Sequence, residues 1–294
     1  MMRYKGSLSR FNYIPYLFIL PAFLLILLFK AYPIFETIID GFKNGGMWTL
    51  SVYKRVFFDM SFWNSFWISI KINLVMLPFQ IILAFCMALI VNISTKGIGI
   101  FRTIYYLPVT ISLAIATVLW NLMLNPNNGV INSMLGIISI PPQGFLISKS
   151  QALWSIVVIA SWKGVGYWMI FILAGLKNID SGLFESAKID GAKYLTIVFR
   201  IIIPMIKKVL LFVLIADTTA GMLLFVPVQM ITRGGPEGST NVLMYEAYNS
   251  AFRFGDRSRA AVIVTVLLII IAIISLIQFR FLNTKDEGST IKGR

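Results

Sequence analysis

The chain has 294 residues, 58% hydrophobic and 13% charged, with a formal net charge of +14. That departs from soluble globular usage and requires long apolar stretches. The absence of histidine excludes the usual His-based triads and His-rich metal sites, and the single cysteine, Cys86, excludes a disulfide framework or a Cys-based metal site.

In chain order, six stretches reach the roughly 20 apolar residues that a membrane crossing needs: residues 16–34, 66–90, 104–124, 152–173, 209–230 and 260–279. Lipid offers the backbone no hydrogen-bond partner, so spans are helices or a closed barrel, and uninterrupted apolarity with weak period-two alternation rules out the barrel. The expected fold is all-α, a polytopic membrane bundle of six transmembrane helices. The basic start and the apolar run from Ile14 have the outline of a signal peptide. No small-x-small cleavage site follows, and Lys30-Ala31-Tyr32-Pro33 is unlike one, so the run reads as an uncleaved first span. Cys86, in the second span, is expected as a small hydrophobe in the packing.

The basic residues are spread over loops and tails and do not make one face with interleaved aromatics, which argues against nucleic acid. With the N-terminus inside, fifteen Lys and Arg fall on inner segments and eight on outer loops. Both termini and the long loop between the fourth and fifth spans are therefore expected in the cytoplasm of a prokaryotic cell. The chain divides into a cytoplasmic N-terminus (1–15), a transmembrane domain (16–282) containing the cytoplasmic loop 177–208, and a cytoplasmic tail (283–294). The outer loops 35–65, 125–151 and 231–259 read as irregular connectors, none large enough for a catalytic domain. No inverted repeat is visible, which favours a subunit whose pseudo-symmetric mate is another chain.

The loop 177–208 gathers Asp180, Glu185, Lys188, Asp190, Lys193 and Arg200 in a chain poor in charge. It reads as two short helices: Ser181 and Glu185 near the start of the first, Asp190-Gly191 as the turn, helix resuming at Ala192, and Pro204 at the start of the fifth span. Such a unit is either a rigid lever leading into a span or an amphipathic linker lying on headgroups.

Glu185-Ser186-Ala187-Lys188-Ile189-Asp190-Gly191-Ala192, followed by Ile201-Ile202-Ile203-Pro204, resembles the EAA loop of binding-protein-dependent ABC importer permeases. Ser186 replaces the second residue of the usual Glu-Ala-Ala, and Phe199 stands one place later than the family's aromatic. Other segments resemble the carbohydrate-importer branch related to maltose and glycerol-phosphate transport: Leu20-Pro21-Ala22 with Tyr32-Pro33, Phe101-Arg102-Thr103 with Leu107-Pro108 and Trp120, Trp162-Lys163-Gly164 with Ala174-Gly175-Leu176, and Thr232-Arg233-Gly234-Gly235-Pro236 with Thr240. Val226-Pro227 departs from the family's acidic residue there, so no role is carried to it. The resemblance implies that the loop is a coupling helix docking on an ATPase subunit, with Glu185 meeting a basic residue, Gly191 permitting the bend, and Ala187 and Ala192 allowing close approach; Ser186, Asp190 and Pro204 complete the motif. It also implies a second permease subunit, two ATP-binding subunits that hold ATP and Mg, an extracytoplasmic solute-binding protein and a sugar substrate, with no cofactor in this chain.

No Gly-x-x-x-x-Gly-Lys-[Ser/Thr] phosphate cradle occurs, so ATP must be bound by another polypeptide. Lys71, Lys163 and Asp217 lie inside predicted spans; the lysines either snorkel or face the interior, whereas Asp217 is deep enough to suggest a substrate path or a subunit interface. For a sugar, Trp120, Asn121, Trp162 and Tyr167 are candidate cavity residues, though Trp and Tyr also form interfacial belts. Two rivals remain: a single-chain ion-coupled secondary transporter with Asp217 as the titrating group, and a membrane-embedded enzyme, for which the residue inventory leaves little room.

Overall fold

The structure, a computed structural model, describes residues 14–93 and 97–283. Most of the expected N-terminal segment and all of the tail beyond 283 lie outside the described residues. The described chain is mostly helical, and the first two helices, α1 (Ile14–Ile26) and α2 (Tyr32–Gly41), form one apolar rod joined by a π-helical turn at Leu27–Ala31. The turn has a local cause. Pro33 has no N–H, and in an ordinary helix its ring would strike the carbonyl of Phe29. The ladder widens instead, and the Tyr32 N–H donates five residues back to Leu27 O.

A two-stranded hairpin, β1 (Lys43–Asn44) with β2 (Met47–Trp48), and the short α3 (Ser51–Phe57) lead to α4 (Met60–Asn92), which Asp59 caps by accepting the Ser61 N–H. At 1.5 Å per residue its 33 residues extend about 50 Å, more than a bilayer core. The expected third span is not one helix. It is α5 (Ile98–Thr110) and α6 (Leu113–Met123), meeting at 99°. Ile111 and Ser112 are extended, and the Ser112 hydroxyl accepts the Ile115 N–H, so α6 starts afresh at a capped end.

After α7 (Val130–Ile137) comes α8 (Ala152–Lys177), the axis of the molecule: 56% of its most apolar window is buried, against 0% for the first rod. The loop after α8 holds α9 (Ser181–Ile189), α10 (Tyr194–Ile197), a second π turn at Val198–Ile202 and α11 (Ile203–Met205). Pro204 explains this π turn as Pro33 explains the first. The fifth expected span is also shorter than read: α12 (Lys207–Met222) has 16 residues and stops at Leu223, since Pro227 cannot donate to the Leu223 carbonyl. A helical turn then restarts with Pro227 in its first positions. The small α13 (Leu243–Tyr248) and the long α14 (Arg257–Asn283) complete the bundle.

Among the described residues, four helices are long and apolar enough to cross a membrane, or five with the bent α5–α6 pair. α8 packs along α4, with α5 and α12 beside it, while α14 lies against α2, α12 and α13. One apolar cluster joins Ala84, Ala88 and Val91 of α4 to Met169, Ile172 and Leu176 of α8 and to Ala187, Ile197 and Ile202 of the loop. A second occupies the opposite halves of α4 and α8, around Ile72, Ile156 and Ile159. The numerous large apolar side chains on the outside suit a lipid solvent. Cys86 is among the exposed residues, contrary to expectation: Ala84 and Ala88 occupy the α8-facing stripe, which puts position 86 on the other side of the helix. Lys71 is likewise exposed.

Candidate functional site

Three elements bring polar side chains together in the middle of the bundle. Asp217, on α12, is 1% exposed. The Trp168 indole N–H, from α8, donates to Asp217 Oδ1 at 2.8 Å and to Gln80 Oε1 of α4 at 3.1 Å. The Gln80 amide in turn donates to Ser161 Oγ at 3.2 Å. Asp217 Oδ2 is buried without a hydrogen-bond partner. A buried polar atom left unpaired costs about 1–3 kcal/mol.

That open space is a cavity of about 420 Å³ lined by Asp217, Trp168, Tyr167, Gln80 and Lys163 together with apolar residues of α4, α5, α6 and α12. The polar side chains of this lining are Asp217, Gln80 and Lys163, and its aromatic ones Trp168 and Tyr167. Lys163 does not snorkel: its ammonium donates to Val109 O at 2.8 Å and to Ile111 O, at the α5–α6 break.

Trp120 and Trp162 meet with ring centroids 6.0 Å apart at 75° and line a second cavity, about 360 Å³, with Phe79, Tyr105 and Pro108. The candidates thus divide between two faces of α8: Tyr167 with Asp217, and Trp120 with Trp162. Asn121 is exposed and lines neither cavity. Trp168, Gln80 and Ser161 were not singled out from the sequence. Neutral polar residues inside apolar runs give no charge signal, and only their spacing on α4 and α8 could have pointed to them.

At one end of the bundle, Asp180 rather than Ser181 caps α9, its carboxylate accepting the Gly182 N–H at 2.9 Å. The helix closes on Gly191, where φ is +77°, a conformation glycine adopts without strain. There the Gly191 N–H bonds to Lys188 O and the Ala192 N–H to Ala187 O, the paired bonds of a Schellman cap. The chain stays extended to Lys193 and helix resumes at Tyr194, not at Ala192. Ala187 is buried in the cluster shared with α4 and α8, and Ala192 packs against it. Glu185, Ser186 and Asp190 are exposed, as are Ile189 (86%), Tyr194 and Leu195. Pro204 sits exposed in the first turn of α11.

At the other end, Arg259 is held by two carboxylates and a hydroxyl: Asp59 at 2.5 Å, Glu246 at 2.7 Å and Ser250 Oγ at 2.8 Å. Asn241 donates to the second Glu246 oxygen, and Arg55 pairs with Asp256 beside them. This network ties the starts of α4 and α14 to α3 and α13. Nearby, Lys149 hydrogen-bonds Glu237 at 2.6 Å and, through that bond and its charge, holds the Glu237 carboxyl below its usual range. No group of three or more His, Cys, Asp or Glu side chains able to share a metal ion occurs among the described residues.

Long apolar helices around a cavity with a polar patch suit an integral-membrane protein. Residues 80–285 match the family model of the binding-protein-dependent transport system inner membrane component, and the chain belongs to that family. It is 33% identical over 287 residues to the lactose transport system permease protein LacF of Rhizobium radiobacter, covering 94% of this chain and 96% of the relative. It is 28% identical over 284 residues to the sn-glycerol-3-phosphate transport system permease protein UgpA of Salmonella choleraesuis, covering 94% and 96%. In fold it is similar to a chain of the bacterial alginate ABC transporter solved in complex with an alginate pentasaccharide-bound periplasmic protein, with TM-score 0.80, 24% identity, and 96% and 97% covered. The chain is therefore a multi-pass permease subunit of an ABC importer and not a catalytic subunit, which sets aside both the single-chain ion-coupled transporter and the membrane enzyme.

Proposed function

We propose that this subunit carries a sugar or a related polyol across the cytoplasmic membrane. It would pair with a second permease subunit, receive substrate from an extracytoplasmic binding protein, and take its driving force from two ATPase subunits that hold ATP and Mg. The lactose and glycerol-3-phosphate systems named for its relatives support that substrate class, as does the cavity's mixture of hydroxyl-pairing groups and aromatic faces. In this reading there are six crossings, with α5–α6 as the third and α12 and its continuation as the fifth, and both termini lie in the cytoplasm.

The loop 177–208 is the coupling element. The observation that carries this reading is its anchorage. Ala187, Ile197, Val198 and Ile202 are buried with α4 and α8, while Glu185, Ser186 and Asp190 face outward beside exposed Ile189 and Leu195. A capped helix fixed to the bundle on one side and offering a mixed charged and apolar surface on the other can transmit displacement, which a linker lying free on headgroups cannot. Glu185 would fix orientation against a basic residue of the ATPase more than it would add affinity. ATP shifts the access equilibrium only through contacts that differ between the two conformations. Reversing the charge at Glu185 (E185K) in the reconstituted transporter is expected to abolish uptake while ATP hydrolysis and membrane insertion persist. Normal uptake by E185K would remove the coupling role.

A further inference from the structure

Breaking a helix through 99° strips the carbonyls of its last turn of their intrahelical donors. Two devices meet that need at the α5–α6 elbow. The Thr110 hydroxyl donates to Leu107 O at 2.7 Å. Lys163, fifty-two residues on from Ile111 in α8, commits two of its three donors to Val109 O in the last turn of α5 and to Ile111 O at its C-cap, where the bend begins. Its charge also stands at the C-terminal end of α5, where a helix dipole favours a cation.

The neighbours of Lys163 make this reach possible. A Cβ added at Gly164 would come within 2.1 Å of Gln80 Oε1, and one at Gly166 within 2.3 Å of Tyr105 O, so α8 runs against α4 and α5 with no room for a side chain at either place. The two residues that bracket the elbow, Val109 and Leu113, form part of the wall of the cavity that holds Asp217, Trp168 and Tyr167. The angle of the elbow therefore sets the shape of that wall.

We propose that Lys163 is the brace of the α5–α6 elbow and, through it, a positioning residue for the cavity wall. The link from elbow to transport rests on the reading of that cavity as the substrate site; the brace itself does not. Removing the donors while keeping the length of the side chain takes both carbonyls' side-chain partner away and frees the α5–α6 angle from its tie to α8. The conservative arginine keeps the donors and the charge.

The test uses the complete reconstituted transporter with Cys86 replaced and spin labels at Ile100 and Leu122, exposed positions on α5 and α6. K163M is expected to shift or broaden the distance distribution and to raise the KM of uptake about tenfold with a smaller effect on kcat, the scale of a misplaced site wall. K163R is expected to restore both. K71M, at the exposed lysine of α4, is expected to change neither. An unchanged distance in K163M overturns the proposal whatever happens to uptake. A changed distance, rescued by arginine, with an unchanged KM supports the brace and removes the cavity as the substrate site. Should K163M fail to insert, K163Q, which keeps a shorter amide donor, carries the same comparison with the same two decisive outcomes.

Discussion

Trp168 shares one N–H between Asp217 and Gln80, and that economy makes it the most sensitive single residue of the cavity. W168F keeps the aromatic bulk but leaves both acceptors unpaired, which costs about 1–3 kcal/mol for each uncompensated group. A lowered unfolding midpoint of the purified complex together with a raised uptake KM is the expected pair of results. D217N replaces an acceptor by a donor at the open end of the chain of bonds and is expected to raise KM at least about tenfold, the weight of one well-formed polar contact; an unaltered KM would take Asp217 out of the site. At Gly191 the demand is on the backbone. Proline fixes φ near −65° and deletes the bond to Lys188 O, so G191P is expected to uncouple ATP hydrolysis from uptake while the subunit still inserts. G191A, strained by about 1–2 kcal/mol, should show a milder form of the same defect.

Among the elements, the Arg259 network should matter more for stability than for transport. Glu246 is 4% exposed, and Arg259 is the cation that compensates it. R259M is expected to destabilise the subunit by about 3–5 kcal/mol, read as a lowered unfolding midpoint in detergent, whereas a change within error would mean that this end of α4, α13 and α14 is held by packing alone. Surface pairs are worth far less, so breaking Lys149–Glu237 should leave the midpoint nearly unchanged. The elements also show what hydropathy can and cannot read. Four long helices fall where apolar runs fall, because burial in lipid leaves a backbone no alternative. The 99° elbow and the early end of α12 were not legible. Hydropathy is blind to backbone direction: the extended Ile111 and the capping Ser112 sit inside an apolar run, and Pro227 stands beyond the end of α12. The burial of Asp217 was readable, because an acidic residue in an apolar run has few places to go. Its partners Trp168 and Gln80 were not, since they join it only once α4, α8 and α12 are packed.

For the whole molecule, the two ends of the bundle have different jobs. The ion-pair network around Arg259 binds helix starts together at one end, and at the other a capped helix is fixed to the core while its polar face turns outward. The cavity lies between them, bordered by the elbow on one side and α12 on the other. Displacement of the loop would reach the cavity through α11 and α12, which follow it directly in the chain and carry Asp217. The most direct measurement is cross-linking from a cysteine at Glu185 in the assembled transporter, with and without ATP. The account predicts a specific adduct with the ATPase subunit whose yield changes with nucleotide. Labelling of that cysteine by an impermeant reagent from the extracytoplasmic side, with no ATPase adduct in either state, would contradict it.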